Sequence, residues 1–138
     1  MRQILASIVL IVLLFPSLAL GGEVKFEDLV YRVGLFYKKF TDVPFTGKVT
    51  GKYHGSFKDG EWDGPWVKYH DNGRIKEKGT YKDGNPDGPW VSYHDNGKLY
   101  FKGTFKDGKK VGSWVGYNED GTVYEYWTGT FKNGVKVK

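Results

Sequence analysis

Residues 81–97 read "YKDGNPDGPWVSYHDNG": three glycine turn signals, a Pro-Trp step and almost no aliphatic run. The neighbourhood explains the pattern, because "WDGPWVKYHDNG" ends at Gly73 and "VGSWVGYNEDG" ends at Gly121. Trp66, Trp90 and Trp114 stand 24 residues apart, as do Tyr69, Tyr93 and Tyr117, and Gly73, Gly97 and Gly121. "GSFKDG", "GTYKDG" and "GTFKDG", starting at Gly55, Gly79 and Gly103, keep that interval; the last copy, "GTFKNG" at Gly129, follows after 26. A fixed period of this length marks a repeat architecture, in which each unit buries its apolar side only against its neighbours. The extra two residues lie between Val123 and Gly129. An even insertion leaves every later strand residue on its original face, so the irregularity supports strands.

Each unit reads as two short strands joined by glycine turns. "DNG" at Asp71 and Asp95 and "EDG" at Glu119 are hairpin signals, asparagine and glycine being tolerant of positive φ. "NPDG" at Asn85 predicts a type I turn between hairpins, with proline supplying φ near −65°. Along residues 98–106, Lys98, Tyr100, Lys102, Thr104 and Lys106 alternate with Leu99, Phe101, Gly103 and Phe105. The preceding unit sets Arg74, Lys76, Lys78, Thr80 and Lys82 against Ile75, Glu77, Gly79 and Tyr81, where only Glu77 interrupts the apolar side. Residues 45–58 read as one alternating strand, with Thr46, Lys48, Thr50, Lys52, His54, Ser56 and Lys58 facing away from Phe45, Val49, Tyr53 and Phe57. Acids are absent from these polar faces and collect in the turns, at Asp59, Asp63, Asp71, Asp83, Asp87, Asp95 and Asp107.

The first strand of each unit leaves two registers open. A two-residue turn places Trp90 opposite Gly103, whereas a three-residue turn with a bulge places Val91 and Tyr93 on that face instead. In either register the aromatic residues of successive units stack as a ladder, with glycines giving the rings room. Each unit adds about 9 to 10 Å of length, two strands at roughly 4.8 Å each.

Composition agrees: 20 glycines and 24 aromatic residues (5 Trp, 10 Tyr, 9 Phe) suit pleated strands and tight turns better than helices. The opening "MRQILASIVLIVLLFPSLAL" has the basic residue, apolar run and small-residue order of a secretory signal peptide, with cleavage expected after Ala19 or Gly21. An uncleaved anchor is the competing reading, but the apolar run is shorter than the roughly 20 residues a bilayer needs and meets Pro16. The expected product is therefore exported, to a bacterial periplasm or the medium. It divides into a signal peptide over residues 1–21, a degenerate, tryptophan-free capping repeat over 22–54 and repeats over 55–138. The sequence contains no cysteine, so neither lipid acylation at cysteine nor a disulfide contributes.

"GTYKDGNPDGPWVSYHDNG" resembles the bacterial variant of the MORN repeat, and "GLFYKKFTDVPFTGKV" resembles the usual opening of such proteins. The resemblance spans about residues 30–134, with four recurrences of the motif. It implies an all-β fold: an elongated, curved antiparallel sheet of successive hairpins. Scaffolding, contact with phospholipid surfaces and, for many bacterial members, a YwqK-like antitoxin role are the functions it implies.

An enzyme is not expected, because no cysteine nucleophile, nucleotide-binding glycine loop or serine-triad order is present. His70 and His94 would lie about 9 to 10 Å apart by strand spacing, too far for one ion that bonds imidazole at about 2.0 to 2.1 Å. Their third equivalent is Asn118, and the aspartates lack the nonapeptide calcium period, so no metal or other cofactor is expected. The formal charge of +5 is mildly basic, and nucleic acid is not an expected partner. Two binding surfaces remain. One is a cationic face of Lys58, Arg74, Lys76, Lys78, Lys82, Lys98, Lys102, Lys106 and Lys132, suited to an anionic lipid or lipopolysaccharide surface or serving only to keep the sheet soluble. The other is an aromatic and glycine groove of Trp66, Tyr69, Trp90, Tyr93, Trp114 and Tyr117, suited to a protein segment or a glycan if these residues are not simply core.

Overall fold

A computed structural model describes residues 23–138. The expected signal peptide and both cleavage sites lie outside the described residues. The strands are β1 (Val24–Lys25), β2 (Leu29–Arg32), β3 (Leu35–Lys38), β4 (Gly47–Thr50), β5 (Tyr53–Lys58), β6 (Glu61–Trp62) and β7 (Gly64–Tyr69). They continue with β8 (Ile75–Lys82), β9 (Asn85–Pro86), β10 (Gly88–Tyr93), β11 (Leu99–Lys106), β12 (Lys109–Gly116), β13 (Gly129–Lys132) and β14 (Val135–Lys136). One long sheet runs β1-β4-β5-β7-β8-β10-β11-β12-β13-β14, with β6 on β5, β9 on β8, and β2–β3 as a separate hairpin. All its pairings are antiparallel except β1 on β4.

Two kinds of hairpin turn alternate. Asp59-Gly60, Asp83-Gly84, Asp107-Gly108 and Asn133-Gly134 carry positive φ at both residues, the requirement of the two-residue type I′ turn. The glycine amides of these turns bind the preceding unit: Gly84 N–H donates to the Trp62 carbonyl, Gly108 to Pro86 and Gly134 to Lys110, at 2.8 to 3.0 Å. The "DNG" turns are different. Their central asparagine keeps ordinary φ and its side-chain oxygen accepts the amide two residues on, from Arg74 to Asn72 and from Lys98 to Asn96, both at 2.9 Å. Only the glycine is left-handed there.

The register combines the two expectations. His94 and Lys98 close a three-residue loop, yet Trp90 pairs with Gly103. The register shifts between Ser92 and Tyr93, where Tyr100 is the extra residue on β11; Lys76 is its counterpart on β8, between Ile75 and Glu77. One bulge cancels the odd loop. It also removes Tyr100 from the polar face, because Tyr100 packs against the core cluster.

Three further expectations are corrected. Asn85-Pro86 forms β9 opposite Lys82 and Tyr81, so "NPDG" is a short edge segment followed by a kink, not a type I turn. Residues 45–58 fold into the β4–β5 hairpin, which pairs Lys48 with Ser56 and takes Thr50 and Lys52 out of a common strand with Lys58. The two-residue insertion makes a turn after Val123, not a longer strand, and delivers Trp127 onto Phe101 at 3.9 Å between ring centroids. Phe131 nevertheless keeps its place in the core.

The core is a stripe on one side of this sheet: Trp66, Trp90, Phe101, Trp114 and Phe131 are buried, and Tyr81, Phe105 and Trp127 pack on them. Trp66 and Trp90 stack at 5.4 Å. A second cluster of Leu29, Phe45, Val49 and Phe57 closes the N-terminal end. Gly79 and Gly103 have ordinary strand φ and serve by lacking a side chain: a methyl on either would overlap the indole of Trp90 or Trp114. Glu77, the acid on the apolar side, accepts the Trp90 Nε1–H at 2.5 Å. Burying such a donor without a partner is costly, so this carboxylate belongs to the core design.

Candidate binding face

The strand pairing fixes which side chains share the face opposite the tryptophans. Across neighbouring strands one row reads His54, Val67, Lys78, Val91, Lys102, Val115. A second row begins with Pro65 paired to Thr80 and Pro89 paired to Thr104. A groove of about 700 Å³ lies here, lined by Pro65, Val67, Lys78, Thr80, Val91 and Lys102 among others. Trp66, Trp90 and Trp114 border it from beneath but are only 3 to 6 % exposed. Its accessible floor is therefore valine, proline and threonine.

Six of the nine candidate cations gather on this face: Lys58, Lys78, Lys82, Lys102, Lys106 and Lys132, all exposed. Among the described residues the ion pairs are Arg32 with Asp42, Lys52 with Asp71 and Lys136 with Glu125, so none of the six is engaged in one. Lys76 sits in the bulge, where its carbonyl accepts the Ser92 hydroxyl at 3.0 Å. Arg74 and Lys98 flank the three-residue turns instead of joining the central row. Charge sorting is incomplete at the rim, since Glu61 pairs across from Lys58. The corresponding partners of Lys82, Lys106 and Lys132 are Asn85, Lys109 and Val135.

The aromatic candidates divide between the two faces. Trp66, Trp90 and Trp114 are core, whereas Tyr69, Tyr93 and Tyr117 are half-buried. Tyr69 meets His54 edge-on at 5.0 Å, on the open side. His70 and His94 each use Nε2 on the next unit: a carbonyl can only accept, so Nε2–H donates to Tyr93 O at 2.8 Å and to Tyr117 O at 2.7 Å. They act as clamps between units. Val67, Val91, Val115 and the two prolines were the residues missed from the candidate site, though their 24-residue recurrence is visible in "GPWV", "GPWV" and "GSWV".

At the C-terminal end one lysine breaks the pattern. Lys110 pairs with Phe105 on the core side, and its ammonium lies 3.6 Å from the Trp127 centroid, 4.6 Å from Phe131 and 5.1 Å from Trp114. Burial among these rings lowers its pKa, while the ring faces attract the charged form.

An extended, hairpin-built sheet with buried tryptophans on one side and exposed lysines on the other has the architecture of a repeat-type binding module. Residues 62–83 and 86–107 each match the family model described as MORN repeat variant, with starts 24 residues apart (86 − 62). Neither curated proteins nor solved structures gave a match.

Proposed function

We propose that the chain is an exported, non-enzymatic binding module that contacts an anionic membrane surface through its lysine-bearing sheet face. The observation that carries this reading is the gathering of six exposed lysines on the side away from the tryptophans, none in an ion pair among the described residues. Each exposed ammonium near an anionic bilayer contributes about 1 kcal/mol, and the contributions add across a repeated face. The apolar leader at residues 4–15 supports export to a compartment where such a surface is at hand.

Co-sedimentation with anionic and neutral vesicles across a salt series tests this. Binding is expected to anionic vesicles only, fading above physiological ionic strength and weakened in a Lys82→Glu/Lys106→Glu variant. Equal binding to neutral vesicles, or none to either, refutes it.

A further inference from the structure

The central row of the open face has a period of its own. His54, Lys78 and Lys102 occupy every second strand, with Val67, Val91 and Val115 in the alternate positions. At roughly 4.8 Å per strand, the Lys78 and Lys102 positions are about 9.6 Å apart along a line perpendicular to the strands. The groove crosses β7, β8, β10, β11 and β12, four strand intervals or about 19 Å. A flat bilayer meets exposed rims; a concave trough floored by valine and proline is shaped for something narrower. Strand addition does not occur here, because the inner strands already pair on both sides and only side chains face the groove.

We infer that this groove seats a single linear acidic polysaccharide, lying across the strands, with one carboxylate per disaccharide set against Lys78 and Lys102. This rests on the cationic face proposed above and names a ligand for its centre. The chemistry of the trough suits each part of such a chain. Sugar rings present flat C–H faces to the valine and proline side chains, and the hydroxyls of Thr80 and Thr104, both exposed, border the trough beside the ammonium groups. A polymer of disaccharides carrying one carboxylate each repeats at about the two-strand interval of 9.6 Å, so its charges stay in step with the lysines instead of drifting past them. The groove length accommodates about two such units. Lys82 and Lys106 stand at the strand ends, beside the type I′ turns and outside the trough lining.

Isothermal titration of the chain with hyaluronan oligosaccharides of increasing length, at physiological salt, tests the inference. Affinity should rise from the disaccharide to the tetrasaccharide and gain little beyond it. A Lys78→Gln/Lys102→Gln variant, its fold checked by circular dichroism, should lose about tenfold, the equivalent of two exposed charge contacts. Lys39→Gln/Lys138→Gln, which removes two exposed lysines outside the lysine-bearing face, should stay near wild type, and neutral chitin oligosaccharides of equal length should not bind. No binding of any acidic oligosaccharide, affinity without length dependence, or equal losses in the two variants overturns the inference. Vesicle binding retained alongside such a failure leaves the membrane-surface reading standing; loss of both removes the cationic face as a site altogether.

Discussion

Gly79→Ala isolates the contact on which the repeat depends. The strand φ of Gly79 is ordinary, so alanine introduces no backbone strain there and by conformational entropy alone should stabilise by about 0.5 to 1 kcal/mol. The obstacle is the indole of the next unit. A methyl built on Gly79 falls 2.5 Å from Trp90 Cδ2 and nearer still to Cε3 and Cζ3, whereas carbon atoms rest at about 3.5 to 4.0 Å. The ring must retreat by 1 Å or more, as a rough lower bound from that comparison. It has nowhere to go, being stacked on Trp66 at 5.4 Å, edged by Tyr81 at 5.3 Å and Phe105 at 5.5 Å, and tied to Glu77. Overpacking of this kind costs about 1 to 3 kcal/mol, and breaking the charge-assisted indole bond about 1.5 to 3 more. After the entropic credit, a net loss of about 2 to 5 kcal/mol follows, a large share of the 5 to 15 kcal/mol of a typical domain. Urea melts followed by tryptophan emission should show the midpoint falling by about 2 M at an ordinary slope. Gly73→Ala is the control: its φ of +83° makes alanine strained, but nothing lies within 4 Å, so only about 1 to 2 kcal/mol should be lost. In a Trp90→Ala background the Gly79→Ala penalty should vanish. A Gly79→Ala chain as stable as wild type, or a penalty that survives removal of the indole, refutes the packing of ring on glycine.

Other consequences follow from the same core. Glu77→Ala strands the Trp90 indole and should cost about 1.5 to 3 kcal/mol in urea melts. Burial, with repulsion from Glu77 and Tyr53, pushes the Tyr81 hydroxyl up to about 12 from 10.0. The unfolded tyrosine ionises first, so stability present below pH 10 should fall as pH rises from 10 towards 12. A tyrosinate absorbance titration run beside an alkaline melt checks this, and Tyr81→Phe should flatten the decline. Lys110→Ala removes both the ammonium and its stem from the Trp127 and Phe131 rings and should cost about 1 to 2 kcal/mol, with fluorescence changes centred on Trp127.

The period, the strand character and the tryptophan-glycine ladder were legible because repeats restate the same local chemistry. Residues that recur every 24 positions can meet equivalent neighbours, as Gly79 and Gly103 do beneath the indoles of Trp90 and Trp114. Register was harder, since the three-residue loop before Lys98 and the bulge at Tyr100 cancel, and two compensating single-residue shifts leave little trace in an alternation pattern. Tyr100 was misplaced for that reason. The β4–β5 hairpin was hidden because Gly51 falls in phase with the alternation of residues 45–58, and its φ of +100° is a property of the folded chain. The valine-lined groove was not legible, because tryptophans draw attention either as ligand platforms or as core; in a sheet that buries only one face the largest rings fill the core, leaving the valines and lysines to face outward.

Titrating the isotope-labelled chain with soluble short-chain phosphatidylglycerol, while following amide and indole cross-peaks, tests most directly which face makes contact. Binding on the open side predicts shifts concentrated at the rim lysines Lys58, Lys82, Lys106 and Lys132, with the indole signals of Trp66, Trp90 and Trp114 unmoved. Large indole shifts with silent rim lysines would place the contact on the aromatic side and contradict the proposal.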